Sequence, residues 1–366
     1  MASQVPVDRT SGDQIIDAVV EPSYGKVGAD CRNASATGEH ITWVDVARGL
    51  AIVLIVMHHS RDYTLMAIPV QPGDWLRWAY VEPLLVHIRL PLFFTLSGAL
   101  AFGLHPGKHI SRKLRRTLSL AIVYTGWSLV MLALIPMWPN DDWRPVGGDD
   151  VALLLSGGSV LWYLWALVVA FGFTALTRSF PSPAAIMLAC LIAAIIAIYA
   201  DQLGGKWGQF ARYLPLYVLG ARYGHVLPRL AQYRNWRAIG LLGIIYLTLL
   251  GPVLTVPGED FACDIAGAML GIIASACVAE AWPAFASHCA WLGRRTLPIY
   301  VLHYPIVTWL GCAVIDMDPI ASRPLELLVL LPTLTAATLL LSLAVWMAMD
   351  RLGLGWMLAM PRRPKA

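Results

Sequence analysis

The chain has 366 residues and a net charge of +4; 58% of its residues are hydrophobic and only 14% are charged. A soluble domain is usually about 25% charged, so this composition argues against a soluble protein. The chain also lacks a basic run with interleaved aromatic residues, which argues against a partner nucleic acid. Apolar runs near the roughly 20 residues of a membrane span recur along it. They are apolar on all sides, which favours helices over barrel strands.

The N-terminal residues 1–40 contain six acidic residues and no compact apolar core. We therefore predict a disordered cytoplasmic tail there rather than a signal peptide. Ten apolar segments follow: 44–60, 83–103, 118–137, 160–176, 184–200, 213–227, 238–256, 261–281, 296–315 and 325–349. They predict an all-α, polytopic integral membrane protein with a single bundle of about ten transmembrane helices in residues 41–351. The sixth segment is the weakest and is either a full crossing or re-entrant, and residues 352–366 form a basic cytoplasmic tail.

The basic residues predict the orientation of the bundle. They cluster between the second and third segments (Lys108–Arg116), after the sixth, before the ninth, and at the C-terminus. All four clusters lie on one side of the membrane if the number of spans is even, so both termini are predicted to be cytoplasmic. The six cysteines form no Cys-x-x-Cys pair and no cluster with histidines at ligand spacing, so we predict no metal site.

The first segment contains ionisable residues that are costly in a membrane and usually functional. Arg48 and His59 are eleven residues apart, so they share a helix face about three turns and about 16 Å apart. Asp45 lies one turn before Arg48 and can pair with it. Arg48 is suited to hold a phosphorylated acyl donor, and His59 to accept a proton from a hydroxyl. The alternative is that Arg48 anchors the helix at the cytoplasmic surface and His59 lies at the interface.

Other polar residues in apolar segments are further candidates. Arg89 in the second segment needs a partner, for which Glu82 is available, or a charged ligand. Tyr300 and His303 are three residues apart and share a helix face, so they can line the same cavity as His59. Trp162 is predicted either to pack at the membrane interface or to line that cavity.

Four segments together resemble the membrane-bound acyltransferase-3 family. The run from Arg48 to His59 resembles the Arg-x10-His signature of its first helix. Residues 90–98 (LPLFFTLSG), 161–165 (LWYLW) and 292–305 (LGRRTLPIYVLHYP) resemble three further family segments in the same order. His58 stands where the family more often has glycine, so either neighbouring histidine can be the active one.

The resemblance implies an O-acyltransferase that moves an acetyl group to a sugar hydroxyl. The donor is acetyl-coenzyme A, a co-substrate rather than a permanently bound cofactor, and the acceptor is an extracytoplasmic or lipid-linked polysaccharide in a bacterial inner membrane. Chains of this size resemble exopolysaccharide O-acetyltransferases, of which the xanthan type is one. His59 then acts as general base or transient acyl carrier, while Arg48 and Arg89 bind the donor. The implied substrate-cavity residues are Asp45, Trp162, Tyr300 and His303.

Two other classes of membrane protein also have many helices with buried charged residues. A transporter or flippase for a glycan intermediate needs no acyl donor. A membrane-embedded glycosyltransferase favours acidic pairs in an outer loop, for which Asp141 and Asp142 are the only hint. The basic residues Lys108–Arg116 suit either the phosphates of a coenzyme or anionic membrane lipids.

Overall fold

The computed structural model describes residues 42–67, 78–104, 110–134, 152–253, 260–315 and 324–358. Its regular elements in these ranges are helices, without a strand, which confirms the all-α prediction. The longer helices are α1 Thr42–Ala67, α2 Trp78–Gly98, α3 Ile110–Leu134, α4 Trp162–Leu176, α5 Ser182–Ile198, α6 Trp207–Tyr223, α7 Trp236–Val253, α8 Asp260–Ala281, α9 Pro283–Gly293, α10 Thr296–Ile315 and α11 Pro324–Arg351. A π-helical turn, Ala99–Gly103, continues α2, and single-turn helices occupy Ala152–Leu155, Ala200–Leu203 and Leu227–Leu230.

Several of these helices are suited to a membrane. Within the described ranges, five stretches are long and apolar enough to cross one: Thr42–Thr64, Leu84–Gly103, Lys113–Leu134, Phe261–Ala281 and Val329–Arg351. Three shorter apolar helices are Trp162–Leu176, Ser182–Ile198 and Trp236–Gly251. Each of the ten predicted segments overlaps one of the helices in the described ranges, but ten crossings are not confirmed and that count stays a prediction.

Some sequence expectations fall on other parts of the chain. The predicted tail 1–40, Lys108, and the acidic residues Asp141 and Asp142 lie outside the described residues. The basic stretch before the third segment is partly helical, because α3 already begins at Ile110.

Helix α1 is the centre of the bundle and packs against α2, α8, α9, α10 and α11. Its contact with α9 requires glycine on both sides. A Cβ atom on Gly49 would overlap the backbone carbonyl of Cys289, and one on Gly293 would overlap that of Asp45. This backbone-to-backbone approach fixes the end of α1 that carries Arg48.

Helices α1 and α10 run in the same direction, side by side. Near their beginnings Arg48 donates to the hydroxyl of Thr296, and near their ends the Tyr63 hydroxyl donates to that of Thr308. Two side chains that are far apart on α1 therefore meet successive parts of α10.

The remaining helices pack against one another around α1. Helix α2 packs against α6 and α8, α3 against α4, α5 against α6, and α7 against α8. A Cβ on Gly98 would overlap the carbonyl of Tyr217, and one on Gly220 that of Thr95, so α2 and α6 are also in direct backbone contact. Large apolar side chains such as Met187, Leu191 and Ile244 point away from the bundle, as lipid-facing side chains do.

Candidate active site

Two cavities lie beside α1, one at each of the two ionisable residues that the sequence singled out. The His59 cavity has a volume of about 810 Å³ and the Arg48 cavity about 490 Å³. Tyr163 of α4 and Tyr300 of α10 line both cavities, so these two side chains form a partition between them. The rise of an α-helix separates Arg48 from His59 by about 16 Å, which places the cavities at two levels of the bundle.

The Arg48 cavity combines positive charge with apolar walls. Arg48 of α1 faces Lys113 and Arg116 of α3 across it. Its apolar lining comes from α2 and the π-helical turn that continues it, from α3 and from α4: Phe93, Leu100, Ala101, Leu120, Leu164, Leu167 and Phe171. Guanidinium groups bind phosphate oxygens in bidentate pairs, and apolar walls bind a hydrocarbon arm. The cavity can therefore hold a phosphorylated ligand with a long, mainly apolar arm.

Arg48 is held in position by two neighbours. Its Nη2 donates to the Thr296 hydroxyl at 2.8 Å, and its Nη1 lies 3.7 Å from Asp45 Oδ1. The other carboxylate oxygen of Asp45 lies 3.5 Å from Arg294 Nη1. The predicted Asp45–Arg48 pair is thus present. Asp45 is not among the residues that line the cavities, however, and contacts the site through Arg48.

The His59 cavity has a different lining. His58, His59 and Asp62 come from α1, Arg89 from α2, Trp162 from α4, and Tyr304 from α10, joined by Lys206, Arg212 and Tyr213. The His59 ring lies 5.2 Å from the His303 ring and 5.3 Å from that of Tyr304, measured between centroids. His303 is only 2% exposed and packs behind His59 rather than lining the cavity.

Arg89 and Arg48, both predicted to bind the donor, are not brought together. Arg89 is 3% exposed and lines the His59 cavity, whereas Arg48 lines the other one. The side chain of Glu82, its predicted partner, lies outside the described part of the chain. Trp162 and Tyr300 line the His59 cavity, and their role in binding a substrate stays a prediction.

Hydrogen bonds connect the two tyrosines of the partition to each other and to neighbouring residues. The hydroxyl groups of Tyr163 and Ser97 are 2.7 Å apart. The backbone N–H of Tyr163 donates to the Tyr300 hydroxyl at 3.3 Å, and that hydroxyl donates to the carbonyl of Val160 at 3.1 Å. The two rings lie 5.5 Å apart. Sequence reasoning missed Tyr163, because its motif drew attention to the flanking tryptophans.

A buried charged cluster beside the His59 cavity was also missed. Arg212 donates from Nε and Nη2 to both carboxylate oxygens of Asp264, each at 2.8 Å. His87 Nδ1 lies 2.7 Å from Asp264 Oδ1 and 2.8 Å from Arg212 Nη2. Asp264 is fully buried, and Arg212 lines the cavity. A lone carboxylate in an apolar segment is the signal that could have identified Asp264.

Lys206 lies at the rim of the same cavity, just before α6. Its backbone N–H donates to the carbonyl of Ser156 at 2.9 Å, and Gly205 before it has a positive φ of 57°. The residue is half-buried, and burial lowers the pKa of its ammonium group. The charged form of Lys206 therefore loses part of its solvation free energy at the edge of the cavity.

One group of side chains in the described ranges has ligand atoms close enough to hold a metal ion. The ligand atoms of His58, His59 and Asp62 lie within 4.8 Å of one another. Asp62 is at the same time paired with Arg61, whose Nη2 is 2.6 Å from its carboxylate. A metal would compete with this ion pair and would occupy both histidines. The absence of a metal site stays a prediction.

Comparison with known proteins identifies the family. The family model described as an acyltransferase domain, that of the acyltransferase-3 family, matches residues 41–347. This range contains the lining residues of both cavities. A search among curated proteins and a search among solved structures find no match. Because the match covers most of the chain and the fold is a bundle with membrane-length apolar helices, the protein is a membrane acyltransferase that belongs to the acyltransferase-3 family.

Proposed function

We propose that the protein transfers an acetyl group from acetyl-coenzyme A to a hydroxyl group of a polysaccharide or lipid-linked glycan. The observation that carries the proposal is the pair of cavities along α1, which differ in lining and share Tyr163 and Tyr300. A reaction between a donor and an acceptor that approach from opposite sides of a membrane needs two such compartments and one point of contact.

The Arg48 cavity suits the donor. Coenzyme A carries phosphates on one end of a long flexible arm, and its acyl group is on the other. Arg48, Lys113 and Arg116 supply cationic groups for the phosphates, and the apolar walls suit the arm. The arm then extends toward the partition, where the thioester meets the acceptor. With the positive-inside orientation this cavity opens to the cytoplasm of a bacterial inner membrane.

The His59 cavity suits a sugar. Aromatic rings of Trp162, Tyr213 and Tyr304 line it, and such rings stack on the apolar faces of sugar rings while their polar atoms bind hydroxyls. A volume of about 810 Å³ lies within the range of small-ligand sites. Arg89 and Lys206 at its border add cationic groups that polar glycans bind readily.

His59 acts as the general base in this proposal. A ring nitrogen takes the proton of the sugar hydroxyl as the oxygen attacks the thioester carbonyl. The tetrahedral intermediate collapses with loss of the coenzyme thiolate, which takes up the proton from the imidazolium. In the alternative order His59 attacks the thioester first, and the sugar hydroxyl then displaces the acyl group from the imidazole. Both orders form one ester bond and break one thioester bond.

The test uses membranes from cells that express the chain, supplied with radiolabelled acetyl-coenzyme A and a panel of lipid-linked glycans. We expect label in a glycan from the native protein and from His58→Ala, and none above background from His59→Ala. His58 is the matched control because it neighbours His59 and lines the same cavity. Loss with His58→Ala alone would move the base by one residue. No labelled glycan from a folded native protein would favour a glycan transporter instead.

A further inference from the structure

His303 has a tautomer that its surroundings determine. Its Nδ1 lies 2.7 Å from the carbonyl oxygen of Tyr300 and 3.2 Å from that of Ile299. A carbonyl oxygen only accepts hydrogen bonds, so Nδ1 must carry the proton. In the neutral ring Nε2 is then unprotonated and presents a lone pair.

This Nε2 atom is buried without a hydrogen-bond partner in the described part of the molecule. Buried polar atoms in folded proteins nearly always have a partner, and an exception calls for an explanation. Neighbouring atoms cover its surface, so a donor to this lone pair has to be in direct contact with it. The donor has to come from a group close to the His303 ring.

The His59 ring is at the distance that supplies this donor. A nitrogen lies about 1.2 Å from the centroid of an imidazole, so two rings joined end to end by an N–H···N bond of about 3 Å have centroids about 5.4 Å apart. The observed separation is 5.2 Å, with the ring planes tilted by 43°. The two rings form no hydrogen bond in this conformation, and their separation leaves room for one when the His59 side chain rotates.

We propose that His303 is a positioning residue: its Nε2 accepts an N–H of His59 and thereby leaves the other nitrogen of His59 unprotonated toward the cavity. The role rests on the proposed function, in which that free nitrogen takes the hydroxyl proton. His59 keeps its N–H to His303 during the step. The imidazolium formed is stabilised by the His303 lone pair, and the cavity-side proton leaves with the coenzyme thiol.

His59, His303 and the backbone carbonyl of Tyr300 then form a chain of two hydrogen bonds. The carbonyl of Tyr300 accepts from Nδ1 of His303, and Nε2 of His303 accepts from His59. Tyr300 also belongs to the partition, so the same turn of α10 holds both the base and the boundary at which donor and acceptor meet. Of the two neighbouring histidines, His59 is the one whose ring lies 5.2 Å from His303, which selects it as the base.

The first experiment compares His303→Gln and His303→Leu in the acetyl-transfer assay. Glutamine offers an oxygen acceptor near the position of Nε2, whereas leucine fills the space without one. A hydrogen bond to a group that becomes charged in the reaction is worth about 10–100-fold, so we expect that loss of kcat in His303→Leu with the KM for acetyl-coenzyme A unchanged. His303→Gln should recover most of it. Equal rates for the two variants would overturn the proposal.

The matched control is His288→Gln. His288 lies on α9 and makes the same kind of bond, from Nδ1 to the carbonyl of Ala284 at 2.8 Å, but it is exposed and does not line either cavity. Its replacement should leave kcat and KM unchanged. Size-exclusion profiles and coenzyme A binding of each variant show whether it is folded.

A second readout does not depend on acyl transfer. Nitrogen-15 NMR of the full chain in lipid bilayers, with the His59 signals assigned from His59→Gln, reports which ring nitrogen carries the proton. We expect a single fixed tautomer for His59 in the native protein and in His303→Gln, and a mixture in His303→Leu. An unchanged His59 signal in His303→Leu would refute the positioning role, whatever the activity. A changed signal without acetyl transfer would instead contradict the proposed function.

Discussion

The two cavities differ in their lining although they lie along the same helix. Three cationic side chains line each cavity, but their neighbours differ: leucines and phenylalanines surround those of the Arg48 cavity, whereas histidines, tyrosines, a tryptophan and Asp62 surround those of the His59 cavity. The side chains that a protein places around a volume determine what binds there. The contrast supports the proposal that a phosphorylated, flexible donor binds in one cavity and a polar acceptor with ring faces in the other.

The two cavities are also held in different ways. The Arg48 end depends on ion pairs and on the close contact of α1 with α9 through Gly49 and Gly293. The His59 end depends on ring packing against α10 and on the buried cluster around Asp264. Changes at one end should therefore affect one substrate or one part of the fold.

The largest effect is expected from Asp264→Asn. The amide keeps the shape of the side chain but offers one acceptor oxygen where Arg212 donates to two. Removing one partner of a buried ion pair leaves an uncompensated charge and typically costs about 3–5 kcal/mol. We expect the free energy of unfolding to fall by about that much in a denaturant titration in mixed micelles.

The matched control for Asp264→Asn is Glu280→Gln. Glu280 pairs with Arg234 at 2.6 Å, but its side chain is 53% exposed. Exposed pairs contribute about 0–1 kcal/mol, so this variant should unfold like the native protein. If the two variants lost equal stability, the cluster beside the His59 cavity would have no special structural role.

The next effect separates the two arginines. Arg48→Gln should raise the KM for acetyl-coenzyme A by about 10–100-fold, because hydrogen bonds to charged groups are worth about 1.5–3 kcal/mol. Arg89→Gln should leave the KM for acetyl-coenzyme A within about twofold of the native value and should instead raise the KM for the acceptor. Steady-state kinetics with each substrate varied in turn measure both constants. A large rise in the donor KM with Arg89→Gln would restore the sequence-based role of Arg89 and would contradict the assignment of the cavities.

Much of the bundle could be predicted from the sequence, because lipid requires long runs of apolar residues. The ten predicted segments coincide with helices for this reason. Helix α9 was missed, because its 11 residues are too few for a span. Its start is nevertheless marked by Pro283 at the first helical position, where proline is favoured.

The site was predictable only where it lies on one helix. The eleven-residue spacing of Arg48 and His59 gives their common face and their separation. Arg89 was grouped with Arg48 by charge, yet α2 follows α1 in the chain and runs back from the level of His59. Its position near the start of the second segment could have indicated the His59 cavity. The Asp264 cluster and the Tyr163–Tyr300 partition join distant segments, and no local spacing encodes such contacts.

A smaller effect is expected at the partition. Tyr163→Phe removes the hydroxyl that lies 2.7 Å from Ser97 and leaves the ring in place. A hydrogen bond contributes about 0.5–1.5 kcal/mol, so we expect a two- to tenfold change, roughly, in the ratio of glycan acetylation to hydrolysis of acetyl-coenzyme A. Tyr246→Phe is the control, because its hydroxyl donates to the carbonyl of Leu84 away from both cavities. An unchanged ratio in Tyr163→Phe would mean that the boundary does not depend on this bond.

The smallest effect is expected from Lys206→Met at the rim of the His59 cavity. A partly exposed charge contributes about 0.2–1 kcal/mol, so the acceptor KM should rise at most about fivefold while the donor KM stays constant. Lys113→Met in the Arg48 cavity should give the reverse pattern.

Lys206→Met should also affect stability. Because burial lowers the pKa of Lys206, the unfolded chain binds this proton more tightly than the folded chain does, so below the folded pKa the charged group lowers the free energy of unfolding. Lys206→Met removes that cost, and its unfolding free energy at neutral pH should equal or slightly exceed the native value. A drop in stability together with a higher donor KM would show that the cavities are coupled rather than separate.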